Sequence, residues 1–400
     1  MARRRVAVTG IGVVAPCGIG AKQFWDGLFE PADDGVRRVE GFVPADFFDN
    51  AKEARRTDRF SQFSMAAAVM ALDQAGDVAD GHPESVGVTI GTGIGGLETT
   101  ESNVLAMETK GPRRVSPFLV PMMMPNAAGA AVSMRFGFQG PCETTVTACA
   151  AGTHSIGSAL RFIRSGTCDA VIAGGTESAL TATAIQGFTN MTALSSSGHS
   201  VPFSADRDGF VIAEGAGVLV LEELHRAQAR GATVLAEVCG SGSTADAHHI
   251  TAPAPGGSGA IRCLRAALAD SHLEPTDIAQ VNAHGTSTPL NDRAEAEAIV
   301  DVFGLPGPPV TSIKGVTGHS LGAAGALEAI ASVLSIQHRV IPPTVGTTEL
   351  DPELPPIDLV VGQGREWEPG PVVSNSFGFG GHNGLSLIHI SEPTRLESKS

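Results

Sequence analysis

Along the chain, short runs of β-branched and small apolar residues alternate with longer stretches whose apolar positions recur every three or four residues. The short runs are RVAVTG (5–10), SVGVTIGTG (85–93), DAVIAGG (169–175), GVLVLEE (217–223), TVLAEVCG (233–240), AQVNAHG (279–285) and PVTSIKG (309–315). Helical spacing marks SQFSMAAAVMALDQA (61–75), THSIGSALRFIRS (153–165), SGAIRCLRAALADS (258–271), RAEAEAIVDVF (293–303) and ALEAIASVLSIQ (326–337). This alternation predicts an α/β protein with buried, largely parallel strands. The first strand is expected at Val6–Thr9, ending in a glycine turn, and a change of segment near residue 230, in RAQARGATV. Residues 371–390 read as strand, glycine loop and strand, and residues 391–400 as a wholly polar tail, disordered or foreign in origin. No short solenoid repeat is visible.

Composition narrows the classes. Among 400 residues, 42% are hydrophobic and 17% charged, enough for a sizeable core and too apolar for disorder. The net charge of −15 argues against a general nucleic-acid binder, though not against a local basic patch. No apolar run reaches the roughly 18 residues of a membrane span. The opening MARRRVAVTGIGVVAPCGIG superficially resembles a signal peptide, but Gly10, Gly12, Gly18 and Gly20 interrupt it and no cleavage pattern follows. Six cysteines lie far apart without a CxxC pair, so neither a zinc site nor a disulfide framework is indicated, and a reducing cytoplasm fits. Gly91, Gly93 and Gly96 form a formal GxGxxG, yet no strand ending in an acidic residue follows. Close backbone packing is the better account.

Candidate chemistry begins with TTVTACAAGTHSIGSALRFIRSG (144–166). Thr144–Thr147 favours a strand, and the helical spacing that follows puts Cys149 at or near a helix N-terminus, where unpaired N–H groups favour a thiolate. From this stretch alone a buried apolar thiol is an equal reading. His284 and His319 each follow a strand-like run, sit beside glycine and precede a helix, where α/β folds collect functional groups. A thiol with two imidazoles suits nucleophilic catalysis. The three lack short metal-ligand spacing, and His248–His249 suits a loop or crevice.

The span from RVAVTGIGVVAPCG to NSFGFGGHNG resembles the β-ketoacyl-acyl carrier protein synthases of the elongating type, synthase II, over nearly the whole chain. GPCETTVTACAAGTHSIG is similar to the family's nucleophile segment, NAHGTSTPLND and KGVTGHSLGAAG to its two histidine segments, and NSFGFGGHN to its C-terminal glycine loop. The resemblance implies a thiolase-like fold, two similar α/β halves in a five-layered arrangement. The expected division is 1–230 with the nucleophile, 231–388 with the histidines and glycine loop, and 389–400 as tail. A cytoplasmic homodimer is implied, with no cofactor, metal, nucleic acid or membrane.

The reaction implied is decarboxylative Claisen condensation. Cys149 takes an acyl group from acyl carrier protein, and malonyl-carrier protein then supplies the carbanion. The backbone N–H groups of Cys149 and Phe379 match the family's oxyanion hole, and His284 and His319 would stabilise the enolate. Lys314 matches the active-site lysine, with Glu295 as its expected carboxylate partner. Phe379 would gate the pocket on a loop freed by Gly378 and Gly380, with Phe377 packed beneath. Lys52, Arg55 and Arg56, with Lys110, Arg113 and Arg114, resemble the positions that receive the acidic carrier. A type II polyketide or polyene ketosynthase would share every catalytic residue. The non-catalytic chain-length partner would lack Cys149, and a thiolase would need a second cysteine near the glycine loop. SLIHISEPTRLESKS (386–400) has no counterpart in the family and suggests adapter or vector read-through.

Overall fold

The computed structural model describes residues 3–390. Eleven strands form one hydrogen-bonded path. They are β1 (Val6–Ala15), β2 (Val86–Gly91), β3 (Cys142–Glu143), β4 (Ala170–Glu177), β5 (Gly215–Glu223), β6 (Ala236–Ala245), β7 (Gln280–Asn282), β8 (Pro309–Thr311), β9 (Asp358–Leu359), β10 (Val372–Gly378) and β11 (His382–His389). The order is β9-β8-β7-β10-β11-β6-β1-β5-β4-β2-β3.

The path is two copies of one pattern. Read inward, β3-β2-β4-β5-β1 repeats as β8-β7-β10-β11-β6, with β9 added outside β8. In both copies the two outer pairings are parallel and the next two antiparallel. Within the sheet the copies are joined by Ala7 opposite Glu237 and Val8 opposite Ala236. The strands are buried as expected, but the sheet is mixed rather than largely parallel. Of its central antiparallel pairs, β10–β11 is a tight hairpin, and the others bring together strands far apart in the chain.

Helices supply the other layers. α1 (Arg59–Ala75) covers β1 and β5, and α3 (Ser258–Ser271) covers β6 and β11. Between the halves lie α2 (Ala151–Arg164) and α6 (Ala324–His338), each touching strands of both. A helix with partners on every side must be apolar all round. In α6, Ala324 to Ile336 is buried without interruption. Gly152 of α2 allows the close approach, since a Cβ there would stand 3.0 Å from the backbone of Gly322 and Ala326. Two further helices carry site residues: α4 (Pro289–Phe303) and the single turn α5 (Lys314–Thr317).

Three local expectations change. Gly10 and Gly12 do not end β1; a Cβ at either would collide with the Ala71 or Ala67 carbonyl of α1. They are there for helix-on-sheet contact, and the strand runs on to Ala15. Thr144–Thr147 forms no strand beyond β3, although Thr145 O accepts from Thr92 N at 3.1 Å. At the other end β11 continues to His389, opposite Glu237, one residue into the expected tail. Residues 391–400 lie outside the described residues.

Candidate active site

The nucleophile segment leaves β3 and turns sharply at Ala148, whose φ is +50°. An L-residue holds that left-handed geometry only where surroundings impose it. A 3-10 turn, Ala148–Ala150, then leads into α2 and puts Cys149 at the helix entry, as the residue pattern implies. The second half repeats the device. Leu321, at φ +46°, opens the turn Leu321–Ala323 before α6. Gly322 occupies the place that Cys149 has in the first half, so the duplicated scaffold carries one thiol.

Cys149 lines a cavity of about 380 Å³ with His284, His319, Phe210 and Phe379. That volume is within the range of small-molecule sites. The backbone N–H groups of Phe379 and of Cys149 itself face the sulfur closely enough to favour its charged form. Two donors therefore converge where a tetrahedral oxyanion would form. Gly378 permits this, because a Cβ would stand 2.9 Å from Thr147 O and 3.1 Å from Cys149 N. Its role is close approach; the left-handed positions are Gly380 and Gly381, at φ +85° and +73°. The Phe379 ring faces Phe188 at 6.5 Å, and Phe377 packs on the His284 ring at 5.7 Å.

The two imidazoles are buried, 5.2 Å apart and nearly perpendicular. His284 stands two residues beyond β7, and His319 follows α5. Burial first, then the charge of Lys314, holds both well below the ordinary histidine range. Both are neutral at pH 7. Lys314 Nζ donates to His284 O at 2.6 Å and meets His284 Nδ1 at 3.2 Å. An ammonium has no lone pair, so Nδ1 accepts and the imidazole proton is on Nε2. Nδ1 of His319 has no hydrogen-bond partner among the described residues.

The third acceptor of Lys314 is Glu328 on α6, not Glu295. Glu295, on α4, accepts from the N–H groups of His284 (2.8 Å) and Gly285 (2.7 Å) and from Asn375 Nδ2 (2.9 Å). It braces the histidine loop instead of pairing the lysine. Burial pushes both carboxyls up to about 7, Glu328 against the opposing pull of Lys314. Glu177, at the end of β4, also went unmarked in the sequence. It accepts from Gly93 N at 2.7 Å, Thr92 Oγ1 at 3.0 Å and Gly322 N at 3.1 Å, tying the loop after β2 to the second half. Both missed acids had a signal: each is a lone charge in or ending an apolar run. The GxGxxG glycines serve packing, with Gly91 against Ala151 and Gly96 against Met122.

The structure does not bring the basic residues to the cavity. Lys52, Arg55, Arg56, Lys110, Arg113 and Arg114 are exposed. Arg56 lies 4.4 Å over the Phe118 ring, which sets the two basic segments side by side. His248 and His249 occupy a loop; His249 Nδ1 accepts from the N–H of Thr251 and Ala252, both at 3.1 Å. Among the described residues no three His, Cys, Asp or Glu side chains are grouped for a metal.

Burial pushes the Cys149 thiol up to about 12, against the opposing effects of Lys314 and the Phe379 N–H. Desolvation outweighs the helix N-terminus here. Alkylation of Cys149 by iodoacetamide should therefore rise about tenfold per pH unit between pH 7 and 9. A plateau below pH 8 in the rate of modified-peptide formation would reveal a thiolate already present.

Comparison with known proteins gives consistent matches. The family model described as Beta-ketoacyl synthase, N-terminal domain, matches residues 36–227, and that of the C-terminal domain matches 235–348. The 3-oxoacyl-[acyl-carrier-protein] synthase 2 of Staphylococcus aureus (strain N315) is 44% identical over 407 residues, covering 96% of this chain and 98% of that protein. The structure titled the ishigamide ketosynthase/chain length factor superposes with a TM-score of 0.91 at 35% identity, covering 98% of this chain and 100% of that one. A type II PKS acyl-carrier protein in complex with its ketosynthase bound to the hexaketide gives 0.88 at 31% identity, covering 97% and 100%.

Proposed function

The chain belongs to the β-ketoacyl synthase family, and we propose that it is a 3-oxoacyl-[acyl-carrier-protein] synthase, the condensing enzyme of fatty acid elongation. The observation that carries this is the convergence of one thiol, two neutral imidazoles and two backbone donors on a single cavity. The 44% identity over nearly all of a 3-oxoacyl-[acyl-carrier-protein] synthase 2 supports it. We divide the chain into a nucleophile half, 1–230, and a histidine half, 231–388.

In the first step the Cys149 sulfur attacks the acyl thioester of the carrier. The sulfur–carbonyl bond forms, the carrier thiolate leaves, and the thiol proton ends on the carrier sulfur. His284 carries its one proton on Nε2, so this ring can act only as a donor there. His319 has unengaged ring nitrogen and is the imidazole able to relay that proton. The amides of Cys149 and Phe379 hold the oxyanion. In the second step malonyl thioester loses carbon dioxide, and the bonding electrons move onto the thioester oxygen as an enolate. Donation from His284 and His319 stabilises it. Its carbon attacks the Cys149 thioester, the Cys149 thiolate leaves and takes up a proton from solvent, and the 3-oxoacyl product is two carbons longer. Because both imidazoles act on the enolate, His284→Ala and His319→Ala should each slow carbon dioxide release about 10²-fold or more, and acylation of Cys149 less. Release of labelled carbon dioxide and intact-protein mass separate the steps.

The partners follow from the surface. The exposed basic cluster suits an acidic carrier, by steering rather than by contact in the cavity. Changing Lys52, Arg55 and Arg56 to Glu should raise KM for carrier-protein substrates about tenfold at low salt and leave small thioesters unchanged. An equal KM for wild type and variant on carrier-protein substrates at low salt removes this cluster from the docking surface. Exposed Val104, Leu105, Met107, Val120, Met134 and Val146 lie on segments packed side by side, and this apolar surface supports a homodimer. No helix among the described residues is long and apolar enough to cross a membrane. All six thiols are free, which supports the cytoplasm.

Incubation with a panel of acyl-carrier proteins of different chain length, read by mass spectrometry of the enzyme, tests the assignment. One acyl group on Cys149 and a product extended by two carbons on malonyl-carrier addition is the expected result. The structural likeness to these two ketosynthases leaves one competitor, a type II polyketide or polyene ketosynthase, distinguished by the same panel through preference for polyketide or polyene chains over saturated acyl chains.

A further inference from the structure

His154 is a half-buried histidine in the first turn of α2 that the mechanism above leaves without a task. Its ring spans three strands of chain. Nδ1 is 2.8 Å from Thr147 Oγ1, and Nε2 is 3.2 Å from Asn383 O and 3.1 Å from Ser243 Oγ. A carbonyl only accepts, so Nε2 carries the proton and Nδ1 accepts from the Thr147 hydroxyl. The tautomer is fixed by its partners. Burial, the largest influence, holds this ring below the usual histidine range and keeps it neutral.

The two ends of this clamp are the two sides of the oxyanion hole. Thr147 immediately precedes the left-handed Ala148 and stands two residues before the Cys149 amide. Its carbonyl abuts Gly378, next to Phe379, where a Cβ would stand 2.9 Å away. Asn383 pairs with Phe377 in the β10–β11 hairpin, so its carbonyl fixes the strand opposite the Phe379 turn. Gly384 has no Cβ to obstruct the ring: one would stand 3.0 Å from His154 Nε2. A hole built from one amide on each segment works only if their separation is held.

We propose that His154 is a positioning residue that bridges the nucleophile turn to the glycine hairpin and so holds the Cys149 and Phe379 amides at the spacing an oxyanion requires. This rests on the condensing-enzyme reading. It does not require His154 to touch substrate or move a proton.

The test compares two reactions of the same sulfur. Acylation by an acyl-carrier thioester passes through an oxyanion, whereas alkylation by iodoacetamide is a displacement that forms none. In His154→Leu, acylation should fall about 10- to 100-fold in kcat with KM within twofold, while alkylation stays within about threefold of wild type. His154→Gln can restore one donor and one acceptor at similar spacing, and should recover most of the loss. Thr147→Val deletes only the hydroxyl and should give a smaller loss of the same kind; it also decides the matter if His154→Leu does not fold. Acylation and alkylation falling together in folded variants, or full acylation in either His154→Leu or Thr147→Val, overturns the proposal. A wild-type enzyme that alkylates but never acylates Cys149 refutes the condensing-enzyme reading instead.

Discussion

Replacing Cys149 by alanine is expected to lower condensation by about 10⁴ or more, the scale of loss when a covalent nucleophile is deleted. The fold should survive. Alanine removes one sulfur from a cavity wall, and the Thr147–His154 and Gly378 contacts that shape the turn do not involve the side chain. Intact-protein mass after incubation with acyl-carrier protein should show no acyl adduct, and the melting temperature should shift by only a few degrees. Alanine at Cys17, Cys142 or Cys239 should leave turnover within about twofold, since none of them lines the cavity. An alanine variant that still elongates at the normal rate would place the nucleophile elsewhere.

The second large effect concerns the buried pair behind His284. Lys314 and Glu328 are each 1% exposed, and their ion pair lies wholly inside the protein. Removing one partner from a buried pair strands the other, at a cost of about 3–5 kcal/mol. Lys314→Met and Glu328→Leu should each lose stability on that scale in chemical denaturation. The double variant should be more stable than the sum of the singles predicts. A cycle of Lys314 with Glu295 should give the smaller coupling, because Glu295 is satisfied by backbone amides and Asn375. All variants lacking Lys314 should also lose decarboxylation, since Nδ1 of His284 then has no donor to fix its tautomer. Equal coupling in the two cycles would restore Glu295 as the lysine's partner.

The order of strands and helices, the buried character of the strands and the positions of Cys149, His284 and His319 were legible in the sequence. Each is a local property. Period-2 and period-3.6 patterning reports which face of a segment meets the core, and a glycine-flanked histidine after an apolar run reports a strand end. The resemblance then supplied the five-layered duplication, which periodicity does not contain.

What the tertiary structure decided was pairing. Antiparallel and parallel neighbours have the same apolar runs, so the mixed sheet could not be read from them. Gly10 and Gly12 look like a turn until α1 is laid across them. Glu328 is a lone acid in an apolar helix, whereas Glu295 is one of four acids in α4. Only the packing of α6 between the two halves points Glu328 at Lys314 and leaves Glu295 beneath the His284 loop. The thiol's acidity was decided the same way. A helix N-terminus is a local feature that favours the thiolate, whereas desolvation depends on everything packed around it, and here desolvation dominates.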